Sequence, residues 1–391
     1  MPGYELVGKE EKEAVLEIFD KHGGVLFKHG FDALRKGSYK VAEFEKAFAK
    51  HVGANYAQAV TSGTAALKVA LEALGVRTGD EVITQSFTFV ATVEAIIECG
   101  AVPLLADIND TLNMDPLDVE KKITKKTKAI IPVHMYGASV QMDEIMAISK
   151  KYNLCVLEDA AQAVGAVYKG NKAGTIGDAG TFSFDFGKAL TTGEGGMVVS
   201  NNKEIFLKAR EYADHGHENN PAFPRGEDTR RRRGFNYRMM EFQGAIGLVQ
   251  LNKLDYAIQK QRENKKKIKD AIKDIKKFKF RVLADGSEET GDTLVLIFET
   301  IEEVKEFVSG IRARGLGTKN LPDAFNWHFA GTWDHIFSEI SYYKNKEWKT
   351  LWSKSEDLLK RTVALPINIK MTTEQIDKTI DIIRETSKEI T

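Results

Sequence analysis

Between residues 57 and 200 the chain repeats one pattern: an apolar run of four or five residues, then a longer stretch whose apolar positions recur three or four apart. The runs read as buried strands and the stretches as amphipathic helices. The strands are Ala57–Val60, Glu81–Thr84, Val102–Ala106, Ala129–Val133 and Leu154–Leu157, followed by GTFSF at 180–184 and GMVVS at 196–200. The intervening helices are one that ends at Gly75, then Phe89–Cys99, Pro116–Ile123 and Met142–Tyr152. Such alternation builds βαβ units, because two parallel strands need a crossover long enough to hold a helix. The expected class is therefore α/β with a mainly parallel sheet, and ligands are expected beyond the carboxyl ends of its strands.

Several polar features sit at those ends. Ser62, Gly63 and Thr64 join the first strand to its helix, so the outward N–H groups and the positive dipole end lie beside hydroxyls. That is a seat for a phosphate, or an ordinary Ser/Thr cap. No GK[ST] follows, which excludes a nucleotide P-loop. Asp159 closes the strand LCVLED, where little water reaches it, so it needs either a cationic partner or the capping role that Asp fills well. Gln162 shares its face if a turn begins there. His134 and Ser183 end two further strands. Lys188 lies between GTFSF and GMVVS among Phe186, Gly187, Ala189 and Leu190 rather than among charges. A lysine partly stripped of water loses its proton more readily and attacks a carbonyl to form a Schiff base; the alternative is a lysine snorkelling at a strand end.

The charge balance bears on partners. Lys plus Arg equals Asp plus Glu, 56 each, so no overall field draws the chain to nucleic acid or an anionic membrane. No apolar run approaches the ~20 residues of a membrane span. The opening MPGYELVGKEEKEAV lacks the layout of a signal peptide, and Cys99 and Cys155 sit in apolar stretches, so a reducing, cytoplasmic setting with packed thiols is expected.

Beyond a helix at Lys203–Tyr212 comes a polar loop with His215, His217 and the run Arg230 to Arg233. Its histidine spacing matches no helical zinc motif, so no metal is expected. The arginines are either a solvated loop or a clamp for a carboxylate or phosphate. A long helix begins near Met240, and its charge thickens after Lys260. This composition shift divides the chain into a large domain, 1–255, and a smaller C-terminal α+β domain, 256–391. The second holds strands FRVLA, TLVLIFE and TVALPI, a helix Ile301–Arg314, a Trp-rich loop and a last helix from Thr373.

The order TSGTAAL, SFTFVAT, EDAAQAVGA, TFSFDFGKALTTGEGG and GFNYRM resembles the fold-type I enzymes that use pyridoxal 5′-phosphate, and more narrowly the DegT/DnrJ/EryC1/StrS sugar aminotransferases. The resemblance covers nearly the whole chain. It implies an aspartate aminotransferase-like fold in which Lys188 carries the cofactor, Asp159 pairs with its ring nitrogen and Gln162 contacts the ring. Ser62, Gly63, Thr64 and Ser183 would hold the phosphate, and Phe89 would stack on the ring. Asn236 would reach the phosphate of a neighbouring subunit, so the resemblance implies a homodimer. A carboxylate about 4 Å from the ring nitrogen at an effective dielectric near 20 is worth roughly 4 kcal/mol, enough to keep that nitrogen protonated.

The implied reaction moves an amino group from glutamate to a keto-sugar. Many relatives have His where this chain has Asp185, which leaves contacts on that side open. A dehydratase branch lacks the lysine, so its presence favours transamination over dehydration or a regulatory role. MPGYEL, DHGH at 214–217 and NWHFAGTWDHI at 326–336 look most like transaminases that make 8-amino-3,8-dideoxy-octulosonate for lipopolysaccharide. On that reading His215, His217, Arg231, Arg232, Trp327 and His328 are substrate candidates. A nucleotide-linked keto-sugar fits the arginine run equally well.

Overall fold

The computed structural model describes residues 3–220, 222, 223 and 226–390. Its central sheet has seven strands, in the order Tyr56–Val60, Gly196–Ser200, Ala179–Ser183, Cys155–Asp159, Thr127–Ile130, Glu81–Gln85 and Val102–Ala106. The five from Ala179–Ser183 to Val102–Ala106 pair in parallel. Gly196–Ser200 runs antiparallel to both neighbours. The reversal follows from the connection: residues 184–195 form no helix-length crossover, so the chain turns back as a hairpin. That hairpin holds Lys188, at the carboxyl end of Ala179–Ser183.

Helix Gly63–Ala73 lies against this sheet with Ala66, Val69, Ala70 and Leu71 fully buried. Its two charged side chains are buried too and pair with each other, Lys68 Nζ to Glu72 Oε1 at 3.1 Å, as burial requires. The long helix Glu241–Ile272 crosses Lys40–Val52 at close range because two of its residues lack side chains. A Cβ on Gly244 would lie 2.6 Å from the Val41 nitrogen, and one on Gly247 2.7 Å from the Phe44 ring.

This helix runs unbroken through residue 255, where the sequence reading placed its domain boundary, and carries the chain to a second sheet. There Thr293–Phe298 lies between Phe278–Phe280 and Thr362–Pro366, antiparallel to both. The expected strand FRVLA is displaced: the strand is Phe278–Phe280, and Arg281 leaves it to donate two hydrogen bonds to the Met135 carbonyl at 3.0 and 3.1 Å. Residues 325–352 then return to the large sheet. Trp333 and Trp352 are each 1% exposed, and the Trp352 indole donates to the Leu105 carbonyl at 2.8 Å. Cys99 and Cys155 are both free thiols.

Candidate active site

A cavity of about 550 Å³ opens at the carboxyl ends of the parallel strands. Eight of the residues expected to hold the cofactor line it: Ser62, Gly63, Thr64, Phe89, Asp159, Gln162, Ser183 and Lys188. Strand ends and the turns after them supply nearly all of these, which is why residues far apart in sequence converge.

One wall is the start of helix Gly63–Ala73. Ser62 caps it, its hydroxyl accepting from the Ala65 N–H at 3.0 Å. The N–H groups of Gly63 and Thr64 have no acceptor within the helix and lie at its positive end. Gly63 keeps this end open: a Cβ there would lie 2.7 Å from the Ser183 Cβ.

Asp159 lies at the end of its strand, 4% exposed. Its Oδ2 accepts from the Thr92 hydroxyl at 2.8 Å and its Oδ1 from the Ala161 N–H at 3.1 Å. Burial pushes its carboxyl above the usual range, while those two donors and the Lys188 and His134 charges pull it back. A carboxylate in this position gains most from a cation placed against it. Gln162 is fixed through its carbonyl, which accepts from the Tyr136 N–H at 3.1 Å and leaves its amide N–H groups for other partners.

Lys188 has the opposite perturbation. Burial lowers its ammonium below the ordinary lysine range; Asp185 and Asp159 oppose this, and Lys319 reinforces it. Asp185 shapes the turn: its Oδ1 accepts from the Gly187 N–H at 2.9 Å and its carbonyl from the Lys188 N–H at 3.0 Å. The Asp found where a His was expected therefore builds the backbone that presents the lysine. On the other side, Gly3 donates to the Lys188 carbonyl at 2.9 Å, and a Cβ on Gly3 would lie 2.5 Å from that oxygen.

Of the substrate candidates, His328 lines the cavity. Its Nδ1 donates to the Ala324 carbonyl at 2.9 Å, its Nε2 lies 3.2 Å from the Asn320 amide, and burial lowers its pKa. Trp327 reaches the mouth by stacking on Phe89, with ring centres 6.1 Å apart and planes 7° from parallel. His215, His217, Arg231, Arg232 and Asn236 do not line it. His217 is held between Asp228 at 2.9 Å and Arg230 at 3.2 Å. Arg231 pairs with Glu218 at 2.6 Å, Arg232 with Glu211, and Arg233 with Glu72 at 3.4 Å. The arginine run is thus three separate ion pairs and one contact with His217, and not a clamp over this chain's own cavity, because consecutive residues in an extended loop point different ways. Asn236 is exposed.

Among the lining residues that the sequence did not reveal are Thr92, Lys319 and Asn320. Thr92 carried a signal, since it follows Phe89 by three residues and so shares its helical face. Lys319 and Asn320 carried none; only the return of the small sheet's edge to the large one brings them here.

The chain matches the DegT/DnrJ/EryC1/StrS aminotransferase family over residues 29–384. It is 36% identical to the spore coat polysaccharide biosynthesis protein SpsC of Bacillus subtilis, over 98% of this chain and 96% of that protein. It is 47% identical to a GDP-perosamine synthase of Caulobacter vibrioides over 55% of this chain, and the match spans 57% of that synthase. Among solved structures, an aminotransferase from Psychrobacter cryohalolentis superposes with a TM-score of 0.86 at 27% identity, covering 98% of both chains. Helicobacter pylori PseC, an aminotransferase involved in the biosynthesis of pseudoaminic acid, superposes with a TM-score of 0.83 at 26% identity, over 98% of this chain and 97% of that one.

Proposed function

The chain belongs to the DegT/DnrJ/EryC1/StrS aminotransferase family, and from that premise we propose that it is a transaminase moving an amino group from glutamate to a keto-sugar with pyridoxal phosphate as cofactor. The single observation that carries this reading is the shared cavity of Lys188, Asp159 and the open helix end at Ser62–Thr64. The three residue types fit the three parts of the cofactor. A desolvated amine suits its carbonyl, a buried carboxylate its ring nitrogen, and a dipole end relieved of a Cβ at Gly63 its phosphate.

Bound pyridoxal phosphate supplies an electrophilic carbonyl and a ring that withdraws electrons from the carbon losing its proton. The chain's own residues do the rest. Lys188, its ammonium lowered by burial, is the nucleophile, and its Nζ then holds and returns the proton moved in the exchange. Asp159, whose oxygens accept from Thr92 and the Ala161 N–H, would stabilise positive charge on the ring nitrogen. Gln162, with its carbonyl anchored, presents N–H donors to a ring oxygen. Phe89 and Trp327 stack on each other at the mouth of the cavity.

The likeness of NWHFAGTWDHI at 326–336 favours a sugar acid, an 8-oxo-3,8-dideoxy-octulosonate, as acceptor. The GDP-perosamine synthase relatives favour a nucleotide-linked keto-sugar. A half-reaction screen separates them: the protein loaded with pyridoxamine phosphate is challenged with each class, and return of the yellow form marks the acceptor. Loaded protein that exchanges nitrogen with no amino donor would rule out the transaminase reading, and Lys188→Ala is expected to bind cofactor yet lose all exchange.

A further inference from the structure

Lys319 is a second lysine in the cavity, placed there by a buried scaffold that no part of the cofactor reading uses. It enters from the small sheet. Its backbone N–H donates to the Ala364 carbonyl at 2.7 Å, which fixes it beside the strand Thr362–Pro366. Its Nζ donates to Asp292 Oδ2 at 2.7 Å and to the Thr293 hydroxyl at 2.6 Å, and lies 3.4 Å from the Asp292 carbonyl. Asp292 is itself 1% exposed and accepts at Oδ1 from the hydroxyls of Thr290 and Thr293, both at 3.1 Å.

An ammonium has three donors, and two are spent on short bonds here, so the third has only a long contact within the scaffold. A buried ion pair of this kind adds little to stability over an apolar pair of the same size, which calls for another use. The charges of the cavity point to that use. Among the described residues lining it, Lys188 and Lys319 are the only lysines or arginines. On the transaminase reading Lys188 is committed to the cofactor's carbonyl and the helix end at Ser62–Thr64 to its phosphate. Lys319 is then the fixed cation on the substrate side, with His328 and Asn320 beside it. Asp185 and Glu194, also on the lining, would repel an anion placed elsewhere.

We propose that Lys319, held by Asp292 and Thr293, binds a substrate carboxylate and so restricts the enzyme to carboxylate-bearing partners. This rests on the transaminase reading. The carboxylate could belong to the amino donor or to a sugar acid. Lys319 is thereby a specificity-determining residue, and Asp292 positions it.

The test uses loaded protein and three variants: Lys319→Gln, the neutral pair Lys319→Gln with Asp292→Asn, and Lys319→Arg. The neutral pair removes both charges together and leaves no unpaired buried carboxylate if the single change unfolds the chain. The first readout is equilibrium binding of glutarate, followed by the shift in the cofactor's absorbance. The neutral variants are expected to bind it about 10- to 100-fold more weakly, the loss of one charge-assisted hydrogen bond, with Lys319→Arg recovering most of the affinity. Unchanged glutarate affinity in both neutral variants would overturn the proposal. The second readout separates the sources. A raised KM for glutamate at nearly constant limiting rate assigns the donor's carboxylate. A raised KM for a keto-sugar acid but not for its methyl ester assigns the acceptor's. A protein that binds glutarate through Lys319 but exchanges nitrogen with no donor would defeat the transaminase reading alone.

Discussion

Thr92 donates to Asp159 Oδ2 at 2.8 Å in a place where burial disfavours the carboxylate's charge. Burial raises the Asp159 carboxyl, and the Thr92 hydroxyl opposes that rise more than the other groups around it. Removing the donor with Thr92→Val therefore lets the carboxyl rise further, so it takes up its proton at higher pH. The acid limb of the pH dependence of kcat/KM should move up by about one to two units, the worth of one hydrogen bond to a charged group, while Thr92→Ser leaves it in place. A Thr92→Val profile that overlays the native one would show that Ala161 and the cofactor hold the charge without it. The same helical turn shows what sequence reading reaches at this scale. SFTFVAT drew attention to Phe89 as a ring-stacking residue, and the structure does line the cavity with it; its partner in the protein is Trp327, and the polar residue three positions on was passed over. Hydrophobic pattern locates a helix face, but it does not say which hydroxyl on that face meets a carboxylate sixty-seven residues away.

Elements carry two further tests, both at places where a backbone approaches another closely. Helix Gly63–Ala73 begins against Ser183, and a Cβ at position 63 would lie 2.7 Å from the serine's Cβ and 3.0 Å from its hydroxyl. Gly63→Ala is expected to shift the helix end and weaken cofactor binding at least about tenfold, the order that misplacement of a preorganised binding group costs. Gly63→Ala with Ser183→Gly should relieve the overlap and recover affinity in equilibrium titration, short of the lost hydroxyl. If the double variant binds no better than the single one, crowding against Ser183 is not the cause. The second place is the glycine-rich link after the first helix, where Arg35 is 1% exposed and donates to the carbonyls of Gly30 at 2.7 Å, His29 at 3.3 Å, Ser38 at 3.3 Å and Phe27. Its guanidinium also lies 3.6 Å from Glu241 at the start of the long helix. Arg35→Met should cost about 3 to 5 kcal/mol in denaturant unfolding, because it strands a buried carboxylate and several carbonyls. The strands and helices of the large sheet were legible in the sequence because each has one clean period and a short connection. Arg35 was not, since a lone arginine in a glycine-rich stretch looks like a surface residue until the chain closes around it. Nor was the displaced strand Phe278–Phe280: FRVLA has strand composition, yet Arg281 is drawn off by the Met135 carbonyl, a contact between segments far apart in sequence.

At the scale of the molecule the site looks incomplete in one chain. Phe89 is 42% exposed and Trp327 60% exposed at the cavity mouth, and Tyr4 and Phe186, next to the lysine turn, stack on each other with 45% and 56% of their surfaces open. Large apolar surfaces beside a site that must exclude water call for a cover. Asn236 is exposed and does not line its own cavity, while the family resemblance has it reach the phosphate in a neighbouring subunit. If two copies pair symmetrically, each site takes Lys188 from one chain and Asn236 from the other. That arrangement has a consequence a monomeric site lacks. Mixing Lys188→Ala chains with Asn236→Ala chains produces hybrids in which one site carries both changes and the other carries neither. With random pairing half of the dimers are hybrids, and each has one intact site of two, so the mixture should recover about a quarter of native activity although both parents are impaired. Recovery needs subunit exchange, so the chains are unfolded and refolded together or co-expressed, and sedimentation confirms the dimer. Activity that stays at the mean of the two parents would mean that Asn236 serves its own chain, or that the aromatic surface is covered by something other than a second copy.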